Sequence, residues 1–463
     1  MEEKGKVWLK LAQGDPRAAS AALAALSFEE RLELLLGLPG KEKVKLLDLA
    51  SDSEALIRAL PEQELFFTVQ EIGKWDSIEL LSEATAQQIR ICFDLDCWRR
   101  DALDPQRALE WFMVLEACGE EKVYEVIQQM DPEFLVLFLR QFVRVVPEGS
   151  YGLDGFAPED LWTEGFYTLD GLYYFEFLDP TFDHQVLVQI LDLLFREDQA
   201  LYLRLMEEAV WNLNEELEEE AFRWREGRLS ERGFPELSQA LELYQFVEPS
   251  TFKVDEHTRR YLPLGGGPVA EGALVKTSYY LSGPAEGSFF SQALRQLSPA
   301  GVEEIWQELV LLMNQALLAD AVDLSALEEV RQALQRVHSS LNIGLEYLAR
   351  GEPAQAAWLL QEVYLKRIFQ VGFSLIQKLK RRAVQLRRGG PSLLREGEIA
   401  GPQRTYRRRL SGLCRRHPRF YTGIGPEGKP QYREFTCLAD VWEMERLLEE
   451  GTSSTRLSEL PPS

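Results

Sequence analysis

Cysteine and histidine are scarce in this sequence, and their spacing excludes the common metal and redox sites. The 463 residues contain five cysteines and four histidines. No two cysteines take the C-x-x-C spacing, and two arginines that oppose a dication separate His417 from Cys414. We therefore expect buried, reduced cysteines in a cytosolic protein, with no metal site and no cofactor.

Long hydrophobic runs are also missing. Segments such as EFLVLFLRQFV and ELVLLMNQALLADAV meet a charge or an amide well before the ~18 residues that a membrane-spanning helix needs. The start of the chain carries acids and only a short, interrupted apolar block, which does not form a signal peptide. With 45% hydrophobic and 11% aromatic residues, the chain can still build a large core. The composition predicts a soluble, cytoplasmic protein without a transmembrane segment.

Local catalytic signatures are absent as well. Neither a G-x-S-x-G elbow nor an H-E-x-x-H motif occurs, and GPVAEGALVKTS misses the phosphate-binding loop because Lys276 comes three residues late. His338, Asn342 and Glu346 share one helix face at four-residue steps, an arrangement that can orient a catalytic imidazole. Their place at the edge of an apolar stripe favours a structural role. We expect a non-enzymatic protein and keep an enzyme with a site built from distant residues as the last of three interpretations.

Signals for short helices recur through residues 1–147. At Pro39, Pro61, Pro105 and Pro132, a turn is followed by acidic or polar residues and then by apolar residues at helical spacing. The spacing between these prolines is uneven, so the pattern is a degenerate array of helices that bury their apolar faces on their neighbours. It predicts a mainly α fold, an irregular α-solenoid of the armadillo-like superhelix type, with a small β-hairpin insertion.

The recurring L-P-x-E pattern before an apolar helix, over residues 26–146, resembles the cytosolic N-domain of MgtE-type magnesium channels and related armadillo-like helical repeats. In that family acidic side chains can bind divalent cations. The acids of this chain, such as Asp94, Asp96 and Asp101 in FDLDCWRRDALD, do not form the D-x-D-x-D-G loop of a calcium site, and two arginines lie among them. We therefore expect a solvated acidic face there.

A hairpin and several changes of composition divide the chain. In FYTLDGLYYFEF, Asp170-Gly171 lies between aromatic, β-prone flanks and predicts a β-hairpin. The predicted segments are an N-terminal helical repeat array (1–147), the hairpin insertion with acidic helices and a loop (148–265), a C-terminal helical block with a long basic helix (266–390), a basic mixed module (391–450) and a disordered tail (451–463).

The C-terminal block carries the clearest helical periodicity. Apolar residues at alternating three- and four-residue steps predict a helix from Leu327 to Leu348. Pro353 opens a further helix, which we expect to continue to Arg388 before Gly389-Gly390-Pro391 ends it. On a helical wheel, one side of this helix is apolar and the opposite half is almost purely cationic.

The basic character of this region contrasts with the rest of the chain. From Lys366 to Arg419 there are sixteen basic and two acidic residues, a charge of +14 in a chain of −24, so the remainder carries −38. The residues predicted to bind a partner or an anion are Lys378, Lys380, Arg381, Arg382, Arg387, Arg388, Arg407, Arg408, Arg409, Arg415 and Arg416.

Four interpretations of the basic segment remain open. It can lie along the acidic helix region Glu207–Glu220 or line the concave side of the solenoid, or bind an acidic protein or peptide in an Arg-rich groove. It can bind nucleic acid, with Tyr406, Phe420, Tyr421 and Tyr432 stacking on bases, or lie on an anionic membrane. We expect a scaffold or adaptor that binds another protein, with a nucleic-acid-associated protein as the alternative.

The order LNIGLEYLARG, YLKRIFQVGFSLIQKLKRRA, RRHPRFYTG and REFTCLADV resembles an uncharacterised bacterial family, a domain of unknown function that spans nearly the whole chain. The resemblance implies a mainly helical, bacterial, cytosolic protein. No catalytic or binding residues come with that family.

Overall fold

The computed structural model describes residues 2–148, 167–179, 184–256, 258–261, 287–389 and 401–458. The near-miss phosphate loop GPVAEGALVKTS and most of the predicted hairpin insertion lie outside these residues. The fold is mainly helical, with 69% of the described residues in helices and small antiparallel hairpins, which confirms the predicted mainly α class. No helix among those described is long and apolar enough to cross a membrane.

The chain forms two compact units. The N-terminal unit contains the described residues of 1–232 together with Asp323–Leu327. Its helices are Glu2–Gly14, Pro16–Ala24, Phe28–Leu36, Gly40–Leu49, Ser53–Arg58, Glu62–Ile72, Ile78–Glu83, Ala86–Asp96, Pro105–Cys118, Glu120–Ile127, Pro132–Arg140, Gln185–Glu197, Gln199–Trp211 and Asn214–Glu231, with a 3₁₀ turn at Trp75–Ser77. Its strands pair antiparallel, Trp98–Arg99 with Ala102–Leu103 and Val143–Pro147 with Tyr173–Phe177.

Several helices of this unit begin with capping side chains that the sequence already displays. The Asp15 carboxylate accepts hydrogen bonds from two backbone N–H groups in the first turn of Pro16–Ala24. Ser27 and Glu30 form a capping box, in which each side chain accepts a hydrogen bond from the backbone of the other. The Asp104 carboxylate caps Pro105–Cys118 by accepting one hydrogen bond from the Arg107 N–H. Local chemistry therefore sets where these helices start.

The predicted hairpin turn is present at Asp170-Gly171. Gly171 has a φ of +72°, and the Asp170 carboxylate accepts hydrogen bonds from the backbone N–H groups of Leu172 and Tyr173 at 2.8 and 2.9 Å. Tyr167 and Phe175 exchange backbone hydrogen bonds across the turn. The longer pairing of this strand is with Val143–Pro147, at the end of the helical array. The aromatic Phe175 is fully buried, so it packs within the unit.

Two acids that we expected on a solvated face are instead buried. Asp94 is 4% exposed and Asp96 is 1% exposed. Arg228 donates two hydrogen bonds to Asp94 at 2.7 and 2.8 Å, and Lys74 and Arg107 contact Asp96 at 2.8 and 2.6 Å. For these two acids the prediction of a solvated acidic face is wrong, because cations from other segments of the unit pair with their carboxylates. Arg228 lies 134 residues from Asp94 in sequence, whereas Arg107 lies only 11 residues from Asp96. Asp101 is exposed, as predicted.

The C-terminal unit contains the described remainder of residues 233–322 and 328–458. Its helices are Leu237–Leu241, Phe289–Leu294, Pro299–Ala319, Leu327–Leu348, Pro353–Glu362, Leu365–Gly389, Gly401–Leu413 and Leu438–Ser458, with 3₁₀ turns at Glu242–Tyr244 and Pro249–Thr251. One hairpin pairs Phe420–Ile424 with Pro430–Arg433. The last helix extends into the segment for which the sequence predicts a disordered tail.

The core of the C-terminal unit lies under the predicted cationic helix, Leu365–Gly389, which we call the basic helix. The basic helix packs against Gly401–Leu413 and Leu438–Ser458. The buried cluster consists of Ile343, Ile376, Leu379, Ala383, Leu410, Leu413, Phe420, Phe435, Leu438, Val441, Met444 and Leu448. The apolar face that the helical wheel predicts is therefore buried in the core.

Two glycines let helix Leu327–Leu348 and the basic helix approach each other at their backbones. A Cβ on Gly344 would lie 2.1 Å from the Ile368 carbonyl oxygen, and a Cβ on Gly372 would lie 1.9 Å from the Ser340 carbonyl oxygen. Both distances are far below a van der Waals contact. Only glycine fits at this crossing.

The long helix predicted from Pro353 to Arg388 is in fact two helices. Val363 is extended, with φ −121° and ψ 137°, and forms an isolated bridge with Arg259. The backbone N–H of Leu365 donates a hydrogen bond to the Glu308 carboxylate. Groups from distant parts of the chain thus satisfy the backbone at the break, which neither proline nor glycine marks in the sequence.

Candidate functional site

Three of the predicted anion-binding cations already have carboxylate partners in the C-terminal unit. Lys378 pairs with Glu248, Arg382 lies 3.7 Å from Glu449, and Arg409 lies 3.2 Å from Glu443. Arg407 is also engaged in a contact, and the side chain of Arg388 lies outside the described residues. Carboxylates of the same unit therefore balance the charge of the three paired cations.

Six other predicted cations have no carboxylate partner among the residues that the structure describes. We call them the basic surface: Lys380, Arg381, Arg387, Arg408, Arg415 and Arg416. The Lys380 Nζ donates to the Arg416 carbonyl at 2.7 Å, and Arg416 donates to the Asp320 carbonyl at 3.3 Å. The guanidinium of Arg381 lies 4.2 Å above the ring of Phe246. Backbone carbonyls position Lys380 and Arg416, and an aromatic ring positions Arg381. None of these contacts supplies a negative charge to balance the cation.

The turn between helix Gly401–Leu413 and the hairpin holds Arg415 and Arg416 in place. The Arg415 guanidinium lies 4.0 Å above the Tyr432 ring, and the Tyr432 hydroxyl donates to the Arg408 carbonyl at 3.2 Å. A Cβ on Gly412 would come within 2.5 Å of the Arg419 carbonyl oxygen. The tight packing at Gly412 fixes the direction in which the chain leaves the helix.

A small pocket, with a cavity volume of about 40 Å³ and an opening to solvent, lies in the same unit. Its polar lining includes Tyr244, Arg336, His417 and Glu434. Its apolar walls come from Val337, Phe369, Phe373, Ile376, Pro418 and Phe435. These residues come from several separate segments of the chain, so no local motif announces the pocket.

Asp320 organises the polar side of this pocket. The Arg336 guanidinium donates to the buried Asp320 carboxylate at 2.8 Å, and His417 Nε2 lies 3.7 Å from the other oxygen. Burial lowers the pKa of His417 to about 4 against the pull of Asp320, and the nearby cations Arg336, Arg416 and Lys380 lower it further. His417 is therefore uncharged at neutral pH and offers a hydrogen bond rather than a charge.

The pKa values of Tyr244 and Glu434 are also shifted in the direction that favours the uncharged form. Burial raises the pKa of Tyr244, and the Asp320 carboxylate adds to the rise. Burial also raises the pKa of Glu434, which lies 3.5 Å from Arg419. The pocket interior is thus a low-charge environment next to a cationic rim. Sequence reasoning considered His417 only as a poor metal ligand.

The predicted trio on helix Leu327–Leu348 has a structural role. Asn342 accepts a hydrogen bond from the Phe290 N–H and donates one to the Thr436 carbonyl, both at 2.9 Å. Glu346 accepts one from the Leu438 N–H at 2.8 Å. His338 is buried, and among the described residues neither of its ring nitrogens has a hydrogen-bond partner. Asn342 and Glu346 thus join other segments to the helix, and no group orients the imidazole.

His338 should make stability depend on pH. Burial lowers its pKa to about 4 in the folded protein, whereas the unfolded chain protonates near pH 6.5. Because the unfolded state binds the proton first, this site loses about 2 kcal/mol of folding free energy between pH 7 and pH 5. Denaturant titrations at both pH values should show a loss about 2 kcal/mol larger in the wild type than in His338→Leu, which keeps the buried His417. Equal pH dependence in the two proteins would contradict the burial of an unpartnered imidazole.

Within the described residues, no group of three or more His, Cys, Asp or Glu side chains is placed to hold a metal ion. Comparison with known proteins gives one match. The model of a family described as a family of unknown function (DUF6178) covers residues 20–458, nearly the whole chain. No curated protein and no solved structure matches the chain. The predicted membership of an uncharacterised family is confirmed.

Proposed function

We propose that this chain, which belongs to the family of unknown function DUF6178, is a non-enzymatic adaptor that binds an acidic segment of another protein. The observation that carries the proposal is the basic surface. In a chain with a net charge of −24, its six cations have no carboxylate partner among the described residues, although neighbouring cations do. Arginine side chains that are not paired with a carboxylate suit the carboxylates of an acidic peptide.

The aromatic residues near these cations favour a protein partner over nucleic acid. Base stacking needs exposed ring faces. Phe420 and Tyr421 are buried, and the face of Tyr432 is covered by Arg415. Phe246 is covered by Arg381 in the same manner. A polyanion would meet cations here but few rings on which to stack.

The burial of the apolar helix face argues against the membrane interpretation. Ile376, Leu379 and Ala383 of the basic helix lie in the core of the C-terminal unit. A helix that binds a membrane surface needs this face free for lipid. The cationic half alone gives only a weak, salt-sensitive attraction to anionic lipids.

The helical array of the N-terminal unit is proposed to be the scaffold part, a solenoid of the armadillo type. Its helices contact the helix two places further along the chain, as repeats in a solenoid do. Pro16–Ala24 contacts Gly40–Leu49, which contacts Glu62–Ile72, which contacts Ala86–Asp96. This regular stacking supports the proposal, together with the resemblance of residues 26–146 to the MgtE-type N-domain.

Capture from native lysate tests the proposed function. The tagged wild type is compared with a surface variant, Arg381→Glu, Arg387→Glu and Arg415→Glu, at moderate salt. A control variant, Arg295→Glu, Lys429→Glu and Arg446→Glu, changes the net charge equally through cations that are also exposed in the C-terminal unit. Mass spectrometry identifies proteins, absorbance detects nucleic acid, and circular dichroism shows that all three fold.

We expect a protein with an acidic segment to bind the wild type and the control variant and to be lost from the surface variant. Recovery of the same proteins by all three would contradict the proposal. Recovery of nucleic acid, with a log–log salt slope of about −0.7 to −0.9 per phosphate contact, would replace it with the nucleic-acid alternative.

A further inference from the structure

The pocket of the C-terminal unit lies beside the basic surface. His417 lines the pocket and directly follows Arg416 in sequence. Gln377 also lines it and lies about one helical turn before Lys380, whose Nζ donates to the Arg416 carbonyl at 2.7 Å. A segment that lies on Lys380 and Arg416 therefore passes the mouth of the pocket.

The interior of the pocket is chemically unlike its rim. Arg336 is paired with Asp320 at 2.8 Å, and Glu434 faces Arg419 at 3.5 Å. The positive and negative charges around the interior are thus matched, whereas Lys380 and Arg416 at the rim have no carboxylate partner in the part of the chain that the structure describes. A carboxylate of a ligand therefore binds most favourably at the rim. An apolar group binds most favourably inside the pocket, where its surface is removed from water.

The walls of the pocket favour a ring-shaped or branched apolar group. Tyr244 and Phe373 have ring centroids 5.0 Å apart, and Phe369 and Phe373 lie nearly parallel at 6.1 Å. Aromatic walls attract aromatic and branched aliphatic side chains through offset and edge contacts. In protein interfaces, such buried side chains supply most of the binding energy.

We propose that the pocket receives one aromatic or branched aliphatic side chain of the acidic segment, while the carboxylates flanking that side chain lie on Lys380 and Arg416. This inference rests on the proposed function and names the pattern by which the partner is recognised, an apolar anchor with acids on both sides. The charges attract the segment, and the anchor sets its register on the surface.

Two fluorescent peptides of Glu and Asp that differ only at a central position, Phe or Ala, test this inference by anisotropy. Two variants fill the pocket: Ser339→Leu from its buried wall and Gln377→Trp from its half-buried rim. Ser339→Ala is the matched control, because it adds no volume. The two filling sites differ in burial, so a folding defect in Ser339→Leu leaves Gln377→Trp to decide.

The wild type and Ser339→Ala should bind the Phe peptide about tenfold or more tightly than the Ala peptide, as expected for burying one Phe side chain. Filling the pocket should bring this affinity ratio to about one, and the affinity for the Ala peptide should not change. A wild-type ratio near one, or a ratio that survives a folded filling variant, would overturn the anchor and leave acidic recognition standing. If neither peptide binds the wild type, the proposed function fails, and the anchor fails with it.

Discussion

Gly372→Ala should destabilise the C-terminal unit by about 3 kcal/mol or more. The added Cβ would lie 1.9 Å from the Ser340 carbonyl oxygen. Backbone cannot rotate away as a side-chain tip can, so helix Leu327–Leu348 and the basic helix must separate by more than 1 Å. Because Ser340 and Phe373 line the pocket, this separation also deforms the pocket.

Hydrogen exchange followed by mass spectrometry locates this effect. Peptides from Leu327–Leu348 and from the basic helix should lose protection in Gly372→Ala, and denaturant unfolding should begin earlier. Gly227→Ala is the control, since nothing lies within 4 Å of its added Cβ and the residue is helical. That control should be neutral or more stable by about 0.5–1 kcal/mol. Wild-type stability in Gly372→Ala would show that the two backbones are not in contact.

Asp96→Ala should cost the N-terminal unit about 3 kcal/mol, the lower end for breaking a buried ion pair. The Asp96 carboxylate accepts hydrogen bonds from Arg107 at 2.6 Å and from Trp111 Nε1 at 2.9 Å, and Lys74 lies 2.8 Å away. Its removal leaves the indole N–H without its partner. The loss is limited because Lys74 keeps Glu110 and Arg107 keeps Asp323 as second partners.

The free energy of unfolding in urea measures this cost, with Glu54→Ala as the control. Glu54 forms an exposed i,i+4 pair with Arg58 at 2.9 Å, a contact worth about 0.5 kcal/mol or less. Asp96→Asn, which keeps hydrogen-bonding oxygen but loses the charge, should fall between the two. If Asp96→Ala costs no more than Glu54→Ala, the carboxylate is solvated, as the sequence alone predicts.

The sequence predicts those parts of the fold that local chemistry decides. Helices begin at Pro105 and Pro132, as the turn and proline signals predict, because proline fits the first helical position. Asp170-Gly171 makes a turn because Gly171 adopts a positive φ without steric cost. The apolar periodicity of Leu327–Leu348 matches a helix with these bounds.

The sequence-based predictions fail where contacts with residues distant in sequence determine the local structure. Nothing near Val363 marks the helix break, which is stabilised by Arg259 and Glu308 from other segments. Asp94 and Asp96 lie in an acidic stretch that predicts a solvated face, yet both are buried. Cations from other segments pair with them. A carboxylate and its buried cation can lie more than a hundred residues apart, where periodicity carries no information.

The candidate site divides in the same way. The basic helix and its cationic face follow from composition and helical spacing, and the basic surface is a subset of the residues so predicted. Which of these cations are paired depends on whether acids such as Glu248 and Glu449 lie close enough to form an ion pair. The pocket depends on the meeting of Tyr244, Asp320 and His417, which no local pattern indicates.

The most direct measurement compares two sets of neutralised cations from the same predicted group. Affinity for the Phe-containing acidic peptide is measured for Arg381→Gln, Arg387→Gln and Arg415→Gln together, and for Lys378→Gln, Arg382→Gln and Arg409→Gln together. Both sets remove three charges, but only the second set is already paired with carboxylates. We predict at least a tenfold loss of affinity for the first set, from about 0.5 kcal/mol per contact, and less than half that loss in free energy for the second. Equal losses in both sets would mean that net charge alone attracts the peptide, and would contradict a specific basic surface.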